Sequence, residues 1–301
     1  MKAPDKESSD KTSSPNSYNA YPKHNKLIIA SRKKDTEKCQ KYVEDYVKLG
    51  YIHLESNNYE EALNCFQKIA EIEPGNPKTF INIGYIYEKM DMLDSAKKCY
   101  EKSLEIKADD IEAILNIGKI LELQGDYHHA VDQYKKAIGI ASQDVEPRFC
   151  LAALYDKHDM YDEALDEYEN IIRINPVHAK ALYNLGRIHF QYGNYSEASK
   201  NFTTVLDMEP GNADAWNDLG SVYEINNDVD KAISSYNRAL EVDPFHEETN
   251  FNLANIQYSL YLSQPQSVNI DDIIQRLVFV LARNPNNRKV RKLLNEINSS
   301  Q

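Results

Sequence analysis

At 301 residues and 42% hydrophobic content the chain is long enough for a substantial core, and its net charge of −12 argues against non-specific binding to nucleic acid or an anionic membrane. Apolar runs such as Leu277 to Ala282 are far short of the roughly 18 residues a membrane-spanning helix needs, and the opening MKAPDKESSD has no apolar signal core. Cys39, Cys65, Cys99 and Cys150 form no CxxC pair and no metal-ligand spacing; read as reduced thiols, they point to a soluble intracellular protein, cytoplasmic first and nuclear second.

Residues 1–34 are rich in Ser, Lys, Asn and Pro, which predicts a disordered tail. The first 42 residues carry ten Lys/Arg against five Asp/Glu, so the acidic excess belongs to the rest of the chain. Within the tail, KHNKLIIASRKK (23–34) mixes cations with a short apolar run. It stays open as a linker, a nuclear-import patch or a segment that folds back into an acidic groove. Asp35-Thr36 predicts the cap of a helix running through EKCQKYVEDYVKLG.

From there a period of 34 takes over. A small residue preceded by Leu or Ile recurs at Gly50, Gly84, Gly118, Ala152, Gly186, Gly220 and Ala254. In register follow Ala62, Ala96, Ala130, Ala164, Ala198 and Ala232, each with a ring four residues on: Phe66, Tyr100, Tyr134, Tyr168, Phe202 and Tyr236. Proline ends most units, at Pro74, Pro176, Pro210, Pro244 and Pro285. Each unit therefore reads as two helices split by a polar turn such as QGDY (124–127) or YGNY (192–195), and so short a turn makes them antiparallel. A glycine inside a helix costs about 1 kcal/mol against alanine, so its recurrence needs a packing reason. The expectation is that Gly186 and Ala198 mark where two paired helices touch, with Tyr195 and Phe202 filling the wedge beside them.

The units run 43–76, 77–110, 111–144, 145–178, 179–212, 213–246 and 247–287, within an array from residue 35 to 287. The last contains an insertion, YLSQPQSVNI, expected to project as a loop over 261–270, and places Ile273 and Leu277 where alanine and a ring stand elsewhere, which predicts looser pairing. Residues 288–301 read as a capping helix, with Val290, Leu294 and Ile297 inward and Arg288, Lys289, Arg291 and Lys292 outward.

The pattern resembles the tetratricopeptide repeat (TPR) family. The sixth unit carries nearly every family position, in Trp216, Leu219, Gly220, Tyr223, Ala232, Tyr236, Ala239 and Pro244. The resemblance implies an all-α, right-handed superhelical solenoid of antiparallel helix pairs, whose first helices line a concave peptide-binding surface. On that surface the slot two before the glycine holds Lys48, Asn82, Asn116, Cys150, Asn184, Asp218 and Asn252. A similar asparagine ladder is expected of the TPR region of O-GlcNAc transferases, where amides take a peptide backbone; here Cys150 and Asp218 break it. Flanking slots hold Val47, Ile81, Leu115, Phe149, Tyr183 and Phe251, and Tyr51, Tyr85, Lys119 and Arg187. These are either anchors for partner side chains or residues covered by the next repeat.

The groove expected to bind peptide thus comprises Asn82, Asn116, Asn184, Asn252, Tyr51, Tyr85, Lys119, Phe149, Tyr183, Arg187 and Phe251. No trio of successive first helices matches the Lys/Asn–Asn–Lys/Arg clamp for Hsp70 or Hsp90 tails, so those partners are not expected. The 34-residue period and acidic inner residues such as Glu112, Glu146, Asp214 and Glu248 exclude an RNA-binding pentatricopeptide reading. His128-His129 lacks further ligands at helical spacing, and Cys150 lacks a neighbouring base. No catalytic, metal or cofactor site is expected. The reading is a non-catalytic scaffold or adaptor binding an extended peptide. The alternatives are a structural subunit of a large ciliary, cell-cycle or trafficking assembly, or a targeting subunit of an enzyme.

Overall fold

The structure, a computed structural model, describes residues 21–300, with side chains from Lys38 to Ser299. Among the described residues there are fifteen helices and no strands. Repeat 1 pairs the end of α1 (Tyr21–Glu55) with α2 (Tyr59–Ile72), repeat 2 pairs α3 (Pro77–Lys89) with α4 (Leu93–Ile106), and repeat 3 is α5 (Ile111–Leu123) and α6 (Tyr127–Ile140). Repeats 4, 5 and 6 are α7 (Val145–Lys157) with α8 (Tyr161–Ile174), α9 (Ala179–Gln191) with α10 (Tyr195–Met208), and α11 (Ala213–Ile225) with α12 (Val229–Val242). Repeat 7 is α13 (Glu247–Ser263) and α14 (Ile270–Arg283), followed by α15 (Arg288–Ser300). The architecture is all-α and built from consecutive helix pairs, and it forms two compact units, one up to Asn116 and one from Ile117.

The hairpin turns of repeats 1 to 6 are made the same way. Asn57, Asp91, Gly125, Asp159, Gly193 and Asn227 stand 34 residues apart, and all have positive φ, between 57° and 78°. The residue after each donates its N–H five positions back: Asn58 to His53 at 2.8 Å, Asp126 to Leu121 at 2.8 Å, Asp228 to Tyr223 at 2.9 Å. This closes the first helix with a left-handed residue, a conformation that costs most side chains about 1–2 kcal/mol but glycine little, and asparagine or aspartate less than most.

The nearest group over each helical glycine is the ring of the paired helix. A Cβ built on Gly186 would stand 2.6 Å from the Phe202 ring, and one on Gly84, Gly118 or Gly220 equally close to Tyr100, Tyr134 or Tyr236. The glycine makes room for the ring sixteen residues on, because that ring is the bulkiest group between the paired helices and is fully buried in every case. Burying such a ring contributes about 2–3 kcal/mol, more than the glycine costs its helix.

The ring's chemistry is matched twelve residues upstream. Tyr100, Tyr134 and Tyr236 donate their hydroxyls to Glu88, Glu122 (3.4 Å) and Glu224 (2.7 Å). Where the ring is Phe66 or Phe202, the same upstream position holds Leu54 or Phe190, which pack on their cores. Repeat 4 departs: Ala152 replaces the glycine, Asp156 is one methylene shorter than Glu, and the Tyr168 hydroxyl accepts instead from Asn184 Nδ2 at 2.8 Å.

The core of the first unit joins Val43, Ala62, Phe66, Ile69, Phe80, Ile83 and Ile86. In the second, one cluster around Phe202 and Leu219 spans repeats 5 and 6, and another joins Ala254, Ile273, Leu277 and Val280 to α15. Ile273 and Leu277 are fully buried, so aliphatic side chains fill the space that alanine and a ring share elsewhere.

The ends differ from expectation in three places. Helix α1 begins at Tyr21, upstream of the expected Asp35-Thr36 cap; Pro22 lies in its first turn, where proline's missing N–H is no loss, and no further proline follows in it. Residues 23–34 accordingly belong to α1, while residues 1–20 of the expected tail lie outside the described residues. The insertion in repeat 7 is not wholly a loop over 261–270: α13 continues to Ser263 and stops at Gln264, the residue that Pro265 keeps out of helical geometry. In α15 the residues turned inward are Val290, Leu293 and Ile297, with Leu294 half-buried, because spacings of three and four residues keep that face on α14.

Candidate functional site

The expected groove residues fall into separate cavities. In the first unit Tyr51 on α1, Asn82 and Tyr85 on α3, and Asn116 on α5 line one cavity of about 500 Å³, together with Glu55, Ile81, Lys89 and Glu112. Tyr51 and Tyr85 are 46% and 43% exposed, large values for rings on packed helices. The Tyr51 hydroxyl donates to Asn82 Oδ1 at 3.3 Å, which leaves the Asn82 amide N–H groups open, and among the described residues the Asn116 side chain has no hydrogen-bond partner. Ile81 and Leu115 are buried, so the slot three before the glycine is mostly core in this unit, with Ile81 also closing the cavity wall.

In the second unit the same slots serve the fold. A cavity of about 260 Å³ is lined by Tyr183, Arg187, Phe202, Asp218, Ser221 and Glu248. The Tyr183 hydroxyl donates to Asp218 Oδ2 at 2.9 Å, and Asn217 Nδ2 donates to Asp218 Oδ1 at 3.3 Å. Asn217 is buried, and its Oδ1 accepts from Thr249 Oγ1 and from Asn252 Nδ2, each at 3.1 Å. A continuous polar network therefore ties α9, α11 and α13. Burial raises the Asp218 carboxyl above the usual aspartate range, against the hydrogen bonds from Tyr183 and Asn217, which lower it. Burial likewise raises the Tyr183 phenol, with the Asp218 charge adding to it.

The remaining expected residues scatter. Phe149 lies edge-on to Tyr168 at 5.9 Å and 5.5 Å from the His178 ring, and with Tyr183 and Asn184 lines a cavity of about 200 Å³. Phe251 and Asn252 line a cavity of about 470 Å³ beside Glu248, Arg288 and Lys289. Arg187 reaches back to Asp156 at 3.5 Å, and Lys119 is exposed. Asn217 was legible as the one polar residue in an otherwise apolar slot, and Asp218, read in the sequence as a break in the ladder, is the network's centre.

Burial, partly offset by Lys119, pushes the Cys150 thiol up to about 11, so the sulfur stays protonated at neutral pH. His129 Nδ1 sits 2.8 Å from the Asp126 carboxylate on an exposed turn, and the His128 ring lies against Tyr127. Among the described residues no helix is long and apolar enough to cross a membrane.

Comparison with known proteins agrees with this geometry. Family models described as tetratricopeptide repeat match residues 43–76, 76–143, 157–201 and 192–247. Solved structures with the same fold include the C-terminal part of a TPR repeat-containing protein from Cytophaga hutchinsonii, at 19% identity and TM-score 0.63 over 81% of this chain and 98% of that one. YrrB, described as a TPR protein with an unusual peptide-binding site, matches at 23% identity and TM-score 0.51 over 61% and 95% of the two chains. The APC/C hetero-tetramer Cut9-Hcn1 matches at 17% identity and TM-score 0.60 over 85% and 52%. No curated protein matches. With its 34-residue period, its repeated hairpin turn and these matches, the chain belongs to the tetratricopeptide repeat family, whose fold is a scaffold for protein–protein interaction.

Proposed function

We propose that the chain is a non-catalytic adaptor that holds an extended peptide segment of a partner protein against its first helices, with the cavity of the first unit as the principal contact. The observation that supports this is the convergence of Tyr51, Asn82, Tyr85 and Asn116 on one cavity of about 500 Å³, with amide groups left free for a peptide backbone. Exposed rings beside unused amides are the composition expected of a binding hot spot. The protonated Cys150 thiol supports the non-catalytic part of the reading.

The test is quantitative affinity purification from the native cell, comparing the parent with an Asn82→Ala, Asn116→Ala variant. Asn184 and Asn252 stay intact, because their amides hold neighbouring repeats together. A small set of proteins lost from the variant, with an unchanged melting temperature, is the expected result. Equal recovery from both would end the groove reading. It would favour a structural subunit of a larger assembly, for which the second unit offers another surface: Phe245 and Val278 are 60% and 52% exposed, and Arg283 lies about 6 Å from both the Phe245 and Phe279 rings.

A further inference from the structure

We infer that the cavity of the first unit receives the cationic side chain of a lysine or arginine in the bound peptide; this deepens the adaptor reading and rests on it. The cavity already shows that it can engage an ammonium group. Lys89 Nζ lies 5.1 Å from the centroid of the Tyr85 ring, within the range in which a cation is drawn to an aromatic face. The second ring is held in place for the same use. Tyr51 is fixed edge-on against Phe66, with centroids 5.6 Å apart and planes at 81°, and by its hydroxyl's bond to Asn82, yet it remains nearly half exposed.

Charge points the same way. Glu55 and Glu112 line the cavity, and among the described residues neither has an ion-pair partner. Lys89 is the one basic side chain lining it, which leaves one carboxylate charge uncompensated. A neutral or acidic peptide residue would leave that charge unanswered, whereas a lysine or arginine brings the complement. The shape fits as well. Leu54 and Ile81 form apolar wall for the methylene stem of such a side chain, while its head reaches ring and carboxylate. The free Asn82 N–H groups and Asn116 stand ready for the peptide backbone on either side.

The experiment titrates the full chain with N-acetyl-arginine N-methylamide and N-acetyl-lysine N-methylamide, following the Tyr51 and Tyr85 ring signals by NMR. The leucine and glutamate analogues serve as controls. The expected result is saturable shifts of both rings with the cationic probes, absent with the controls. Affinity should weaken by about three- to tenfold in a Glu55→Gln, Glu112→Gln variant. Both replaced residues are exposed, so the variant should keep the parent's melting temperature.

Equal shifts from the leucine probe, unchanged affinity in the Gln variant, or no ring shift with any probe would overturn the inference. Its failure is separable from that of the adaptor reading. If the Asn82→Ala, Asn116→Ala variant loses its protein partners while the cationic probes leave the rings unmoved, the groove stands and the cation pocket falls. If the probes bind as expected but the variant keeps every partner, the pocket is real and the peptide groove falls.

Discussion

Repeats 1 and 2 in the first unit and repeats 5 and 6 in the second put their first helices to opposite uses. Tyr51 and Asn82 meet through one exposed hydrogen bond at 3.3 Å and leave their remaining polar groups to solvent. Tyr183 and Asp218, three and two residues before their glycines, are joined at 2.9 Å into a network that continues through buried Asn217 to Thr249 and Asn252. The deciding residue is the one three before the glycine. Ile81 buries itself and asks nothing of its neighbours, whereas Asn217 is buried and must be satisfied, so it recruits the polar side chains around it. One substitution between repeats thus decides whether a polar face is free for a partner or committed to the fold.

The largest expected effect follows from that residue. Asn217→Ile should destabilise the second unit by about 2–3 kcal/mol, since Thr249 and Asn252 lose their shared acceptor and Asp218 loses a donor. Urea unfolding measures it, and a variant as stable as the parent would remove the network's structural role. A smaller effect separates the two tyrosines. Tyr183→Phe deletes a hydrogen bond to a partly buried carboxylate and should lose about 1–2 kcal/mol, while Tyr51→Phe should lose less than about 0.5 kcal/mol. Equal losses would break the contrast between the units.

The smallest effect is a slope with pH. Burial raises the folded-state pKa of Asp218 above the ordinary aspartate value, so the folded chain holds that proton more tightly than the unfolded chain does. This site's contribution is therefore fully present below the ordinary value and is lost as pH rises through the raised one. The unfolding midpoint of the parent should carry this decline as pH rises past the ordinary aspartate value, and Asp218→Asn should lack it. Identical slopes in the two proteins would mean that Asp218 titrates as an exposed carboxylate.

Much of the fold was legible before any coordinates. The 34-residue period located all seven helix pairs, and the turn signals at Gly125 and Gly193 marked a slot that Asn57, Asp91, Asp159 and Asn227 fill elsewhere. The match between each ring and the residue twelve before it was also present in the letters, as Tyr100 with Glu88 and Phe202 with Phe190. The candidate site was less legible. Asn82, Asn184 and Asn252 look alike in sequence and differ in what they hold, because a hydrogen-bond partner 16 to 35 residues away comes from another helix.

The sequence by itself determined the architecture, since apolar periodicity, left-handed turn residues and proline stops act within a few residues of one another. Tertiary structure alone decided what each recurring residue faces. It set the rings closest to the glycines, carried α13 on to Ser263, turned Leu293 rather than Leu294 inward, and committed Asp218 to the interior. The physical reason is reach. Helix formation and turn geometry are local, whereas burial and polar satisfaction depend on which side chains of neighbouring helices arrive at the same point.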